Sequence, residues 1–174
     1  MNIRQDYAYA GIGSRKTPQN ILYQMTEIAK GLSECSWILR SGGADGADKA
    51  FEAGATKKDI FLPTGDIPDL AFEIAELYHP CWNELRSEFV KRLHARNTQQ
   101  ILGATLDIPA KFVVCWTPCG TETAHTTKET GGTGQAIRIA NAYRIPVFNL
   151  ANEGRLEQVK EFCDCALMQY SDYL

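Results

Sequence analysis

The stretch "RSGGADGADKAFEAG" (residues 40–54) places four glycines, two aspartates and two basic residues between an apolar run, "SWILRS" (36–41), and a short segment of helical character. Bare backbone at such a junction lets peptide N–H groups approach an anion, and a helix N-terminus adds unsatisfied donors and partial positive charge. Two further junctions of this kind occur at "AGIGSR" (10–15) and "TGGTGQA" (130–136). One alone is accounted for by a tight turn; three together describe a pocket. In an open parallel sheet these junctions gather beyond the carboxyl ends of the strands, where ligands bind near the reversal in strand order.

Working outward, "YAYAG" (7–11) is a strand closing on glycine, and Thr17 with Pro18 forms an N-cap and first-turn proline. Ile21, Leu22, Met25, Ile28, Ala29 and Leu32 then share one helical face. "DIFLP" (59–63) is a third strand stopped by Pro63, and "IPDLAFEIAELY" (67–78) is a helix broken at His79-Pro80. A charged amphipathic helix runs from Trp82 to about His94, with Leu85, Phe89 and Leu93 four residues apart. "KFVVCW" (111–116) and "RIPVFNL" (144–150) are apolar without alternation, as strands covered on both faces are. Helices over 134–143 and 154–164 complete the pattern. The expected fold is α/β: a Rossmann-like, open, doubly wound, mostly parallel sheet with helices on both faces, in one domain spanning 1–174.

The chain has 174 residues, 44% hydrophobic and 22% charged, which suits one domain with a sizeable core. Its net charge of −3 exerts no global pull on nucleic acid or anionic membrane, so a small ligand is favoured and a nucleic-acid partner is not expected. The absence of a long apolar run implies no membrane association and a cytoplasmic location. Six cysteines form no CxxC pair and three histidines are scattered among them, so neither a metal site nor a separate cofactor is expected. Cys35 and Cys115 lie in or beside strand-like runs, where a thiol acts as a small hydrophobe.

The candidate phosphate site comprises Gly11, Gly13, Ser14 and Arg15 at the first junction, Arg40, Ser41, Gly42, Gly43, Ala44 and Asp45 at the second, and Gly131, Gly132, Thr133 and Gly134 at the third. Arg15 and Arg40 suit paired hydrogen bonds to phosphate oxygens, and Arg15 is the favoured one. Asp45 reads as an N-cap; Asp48 either closes a capping arrangement, accepts from ribose hydroxyls, or acts as a base toward water. The segment "TPCGTETAHTTKETGGTG" (117–134) has the length of a lid, with Glu122, His125 and Lys128 as polar groups and Trp116 at its root to stack on a base. "HARN" (94–97) offers Arg96 and Asn97 for a ligand or subunit contact. Neither a P-loop nor the full dinucleotide fingerprint is present.

Together "YAGIGSR", "LRSGGADGADKAFEAGA", "GGTGQAIRIAN" and "IPVFNL" resemble the SLOG superfamily of Rossmann-like domains, over roughly residues 7–150. That superfamily includes DNA-processing protein A, the molybdenum-cofactor carriers and the Lonely Guy phosphoribohydrolases. The resemblance implies a nucleotide or nucleotide-derived ligand above the sheet, with phosphate near the glycine junctions, and a possible homo-oligomer. Binding is the first expectation. The first alternative is hydrolysis of a nucleoside-monophosphate N-glycosidic bond, with Asp48 or Glu122 polarising water. Arg138, however, stands where the phosphoribohydrolases place a glutamate. The second alternative, a DNA-processing accessory role, rests on "SGGADGAD", and no basic track accompanies it.

Overall fold

Strands β1 Ala8–Gly11, β2 Ile38–Ser41, β3 Lys58–Ile60, β4 Val113–Cys115 and β5 Val147–Asn149 pair in the order β3-β2-β1-β4-β5, with every pairing parallel. The structure is a computed structural model and describes residues 7–127 and 130–161. From the central β1 the chain steps outward to β2 and β3, then crosses back to β4 and on to β5. The strand order therefore reverses between β1 and β4. Ala10 lies at this seam, opposite Arg40 on one side and Val113 on the other.

Helices α1 Gln19–Glu34, α2 Ala47–Gly54, α3 Asp69–Leu77, α4 Glu88–Leu102 and α5 Thr133–Ala142 connect the strands, with a 3-10 turn at Trp82–Glu84 and helix again over 155–161. On one face Tyr9, Leu39, Phe112 and Val114 pack on Met25, Ala29 and Leu32 of α1, Phe51 of α2, and Val159. On the other, Ala10, Val113 and Cys115 meet Ile101 and Leu102 of α4 and Ile137, Ile139 and Ala140 of α5. Helices cover both faces of the central strands β2, β1 and β4, which is why these lack alternation, whereas the edge strand β3 is largely exposed. Phe51, fully buried beneath Gly11, contributes about 2–3 kcal/mol by its removal from water. A third cluster, Ala71, Ala75, Trp82 and Ala95, fastens α3 to α4.

The expected doubly wound α/β sheet is present, and several boundaries differ. Thr17 does not cap α1: Pro18 occupies the N-cap, and the Thr17 hydroxyl donates to Ser14 O at 2.7 Å. The amphipathic segment after Trp82 divides, because Ser87 restarts the chain as a capped helix whose Oγ accepts from Val90 N. α4 then continues eight residues past His94, with Ala95 through Leu102 all buried. Three polar side chains in that run reach partners outside the helix: Asn97 Nδ2 donates to Gln135 Oε1 (3.1 Å), Thr98 Oγ1 to Ala71 O (3.2 Å) and Gln99 Nε2 to Asp66 O (3.1 Å). Helix over 154–164 is found at 155–161, and its remainder lies outside the described residues.

Cys35 and Cys115 are buried, Cys81 and Cys119 exposed, and all four are free thiols. Cys163 and Cys165 lie outside the described residues. No helix among the described residues is long and apolar enough to cross a membrane.

Candidate functional site

A cleft of about 720 Å³ opens where the chain leaves β1 and β4, at the reversal in strand order. Its walls are the turn Ile12–Lys16 after β1, Ala44 and Asp48 at the start of α2, one face of α4, and the approach to α5 from Thr130 to Thr133. Leu93, Arg96, Asn97 and Gln100 reach it from a single face of α4, as three- and four-residue spacing on a helix requires. This is the crevice where open α/β sheets bind ligands.

Arg15 and Lys16 stand exposed at the rim, whereas Arg96 is only 7% exposed. Burial depresses the Arg96 pKa against the pull of Asp48, and its Nε has no hydrogen-bond partner among the described residues. A buried guanidinium with an idle donor is a ready receptor for an oxyanion. Arg96 Nη1 lies 3.9 Å from Asp48 Oδ2, a loose ion pair. The same Oδ2 accepts from Gly42 N (3.1 Å) and Ala44 N (3.3 Å), so Asp48 ties the glycine-rich turn to α2. Burial raises the Asp48 carboxyl to about 6, with Arg96 and the two N–H groups opposing. Gly42 provides the seat for Arg96: a Cβ there would overlap the guanidinium and crowd Gln100 Nε2.

Across the cleft, no side chain caps α5, whose N-terminus carries partial positive charge, while Gly134 N and Gln135 N donate to Gly131 O (3.1 Å) and Gly132 O (3.3 Å). Gln135, in the first turn of α5, binds α3 through Nε2 to Ala75 O (2.9 Å) and α4 through Oε1, which meets Asn97 Nδ2 (3.1 Å) and His94 Nδ1 (2.8 Å). Three helices are locked together at one buried amide.

Of the residues expected from sequence, Gly13, Ser14, Arg15, Ala44, Asp48, Gly131, Gly132 and Thr133 line this cleft, as do Arg96 and Asn97. The others stand elsewhere. Arg40 is buried under α4, its Nη1 donating to Ile108 O at 2.5 Å, because β2 turns that side chain toward the 103–110 connection and away from the cleft. Gly11 lies beneath the turn against Phe51 and Leu39, and Ser41 is buried with its Oγ toward Glu52. Gly43 faces Leu62 and Ile60 with φ 70°, Asp45 is exposed and caps nothing since Gly46 holds the N-cap, and Gly134 is buried within α5. Trp116 packs on the core's edge and offers its carbonyl to Ser14 N, so it is not placed to stack on a ligand in the cleft.

Glu122 is likewise outside the cleft, held at 2.6 Å by Arg155 Nη2 and accepting from Asn149 N at 2.8 Å. Burial works to raise its pKa, but the bonds from Arg155 and Asn149 carry it below the usual carboxylate range. The 117–127 segment is stitched down: Asn149 Nδ2 donates to Thr117 Oγ1 (2.7 Å) and Thr121 O (2.9 Å), and Asn152 Nδ2 to Gly120 O (2.8 Å). His125 is exposed there and Lys128 lies outside the described residues. Arg138 donates through Nε to Tyr78 O at 2.6 Å and joins α5 to the end of α3. Sequence reasoning missed Lys16, His94 and Gln100. The helical period of α4, carried past His94, marks positions 93, 96, 97 and 100, and was the available signal.

Among solved structures, one likeness covers nearly the whole chain. It is similar to DNA processing protein A from Helicobacter pylori. The TM-score is 0.58 at 16% identity, over 94% of this chain and 81% of that one. At that identity the likeness establishes a shared fold. No protein-family model matches the chain, and no curated protein sequence does. The Helicobacter pylori protein binds single-stranded DNA, which overturns the expectation that nucleic acid is not a partner class for this architecture. Net charge does not exclude an anionic partner, because binding depends on the local charge of a cleft and this one gathers Arg15, Lys16 and Arg96 in a chain of net charge −3.

Proposed function

We propose that this chain binds a phosphorylated nucleotide unit in the β1/β4 cleft, with a phosphate held between the Gly13–Ser14 turn, Arg96 and the uncapped start of α5. The observation that carries this reading is that Arg96, a buried guanidinium whose Nε has no partner among the described residues, lines the same cleft as the start of α5. A helix N-terminus and a desolvated guanidinium both favour an anion, and neither is neutralised by a side chain close enough for a good ion pair. The resemblance to SLOG domains supports a nucleotide over another anion.

A second reading follows from the likeness in fold: the bound unit is one nucleotide of a single strand, whose backbone phosphates meet Arg15 and Lys16 at the open rim. Hydrolysis is the less favoured chemistry. Glu122 lies outside the cleft in an ion pair, and Asp48 Oδ2 is occupied by two backbone N–H groups.

Thermal shift with nucleoside 5′-monophosphates, and fluorescence anisotropy with labelled oligothymidylate, test both readings in wild type and Gly132→Leu. Gly132 has helical φ and ψ, and a Cβ there meets nothing within 4 Å, so leucine fills the cleft and spares the fold. The variant should keep its unliganded Tm and lose the nucleotide response. Wild type unresponsive to every monophosphate and to the oligonucleotide overturns the assignment.

A further inference from the structure

We propose that His94 is a hydrogen-bond acceptor of the cleft, presenting a bare Nε2 to a hydroxyl or amino donor of the nucleotide whose phosphate lies at the start of α5. The inference rests on the phosphate reading above and adds a determinant of specificity to it.

Three hydrogen bonds decide the tautomer. Gln135 is buried, and its Nε2 donates to the carbonyl of Ala75, which can only accept. Gln135 Oε1 is therefore an acceptor, and the Asn97 amide already donates to it. His94 Nδ1, 2.8 Å from that same oxygen, must carry the proton. A neutral imidazole has one N–H, so its Nε2 holds a lone pair. No described residue hydrogen-bonds that nitrogen, and His94 lines the cleft.

The surroundings keep the ring neutral. Its pKa lies below the ordinary 6.5, principally through burial, with Arg138 of α5 and Arg96 of α4 adding repulsion and the Gln135 bond opposing. His79, after α3, crosses its ring edge-on with centroids 4.3 Å apart. Arg15, Lys16 and Asp48 stand elsewhere on the cleft wall. Arginine and lysine only donate, so His94 adds a neutral acceptor to a wall whose three cations lack one. Cations alone would hold any phosphate; a fixed acceptor favours a phosphate attached to a ribose or a base bearing an N–H or O–H group.

Two measurements test this. Ring ¹H–¹⁵N correlation spectra of wild type at neutral pH should show His94 protonated at Nδ1 and bare at Nε2; a proton on Nε2 overturns the proposal. Titration calorimetry then compares inorganic phosphate with the four ribonucleoside 5′-monophosphates, using wild type and His94→Asn. Asparagine can keep a donor toward Gln135 and lacks the second nitrogen. The best-bound nucleotide should bind the variant about tenfold more weakly, with phosphate affinity unchanged. In wild type the preference for nucleotide over phosphate should also decline as the pH falls and His94 takes up a proton, and in the variant it should not. Equal nucleotide affinity, or the same pH profile in both proteins, overturns the His94 role and leaves the phosphate reading standing. Wild type binding neither nucleotide nor phosphate removes both.

Discussion

Arg96, Asp48 and Gly42 form one small mechanism in which a missing side chain makes room for a buried cation. Gly42 does not require left-handed φ, so alanine suits its backbone, yet the added Cβ occupies the guanidinium's place. Gly42→Ala should therefore fold and bind nucleoside monophosphate at least tenfold more weakly, a result read by calorimetry. Asp48 titrates in the opposite sense to most native carboxylates. Its folded value of about 6 lies above the ordinary 3.8, so the stability of its protonated form is fully present at acid pH and is lost as pH rises through about 6. At neutral pH the ionised group costs about 3 kcal/mol. Any stability advantage of Asp48→Asn over wild type should be largest near neutrality and shrink by about 2 kcal/mol at about pH 4.5, measured by urea unfolding. A gap that widens on acidification would show that the ionised carboxylate, through its N–H bonds, is the stabilising form. Asp48 was visible in the sequence as either a capping group or a base; its bonds to Gly42 and Ala44 favour the first.

Among the elements, α1 and α5 end in the same way without the residue that such endings favour. Trp37 N–H reaches back to Leu32 O and Ile145 N–H to Ala140 O, closing six-residue turns around Ser36 (φ 62°) and Arg144 (φ 58°). Left-handed backbone strains a residue with a Cβ by roughly 1–2 kcal/mol. Ser36→Gly and Arg144→Gly should each raise Tm, by an amount corresponding to about 1 kcal/mol. Thermal unfolding of the two single variants checks this, and an unchanged Tm would mean that the native side chains compensate. α4 shows the other limit of reading elements locally. Its first turns were legible from Phe89 and Leu93, but "RNTQQ" looks solvated by composition and is buried in fact. Asn97, Thr98 and Gln99 find partners on α5, α3 and the loop before α3, and no pattern within α4 announces those acceptors.

For the whole molecule, the position of the cleft follows from strand order. The chain turns back between β1 and β4, so the turns after these two strands diverge and leave a crevice between them. A chain of net charge −3 thereby concentrates Arg15, Lys16 and Arg96 at one opening. If a single strand occupies it, the logarithm of affinity for oligothymidylate should fall with the logarithm of salt concentration with a slope of about −2, as expected for three phosphate contacts. Salt-independent binding would exclude those cations as phosphate partners. The sequence by itself determined that the chain forms a covered parallel sheet, because apolar runs without alternation require helices on both faces, and that glycine-rich turns meet helix starts at its strand ends. Those are local properties of periodicity and backbone freedom. Only the tertiary structure decided which turns share a cleft, that Arg40 and Glu122 are engaged elsewhere, and that Arg96 and His94 complete the wall. Those facts depend on which strands are neighbours and on hydrogen bonds between helices far apart in the chain, neither of which is encoded in the spacing of any one segment.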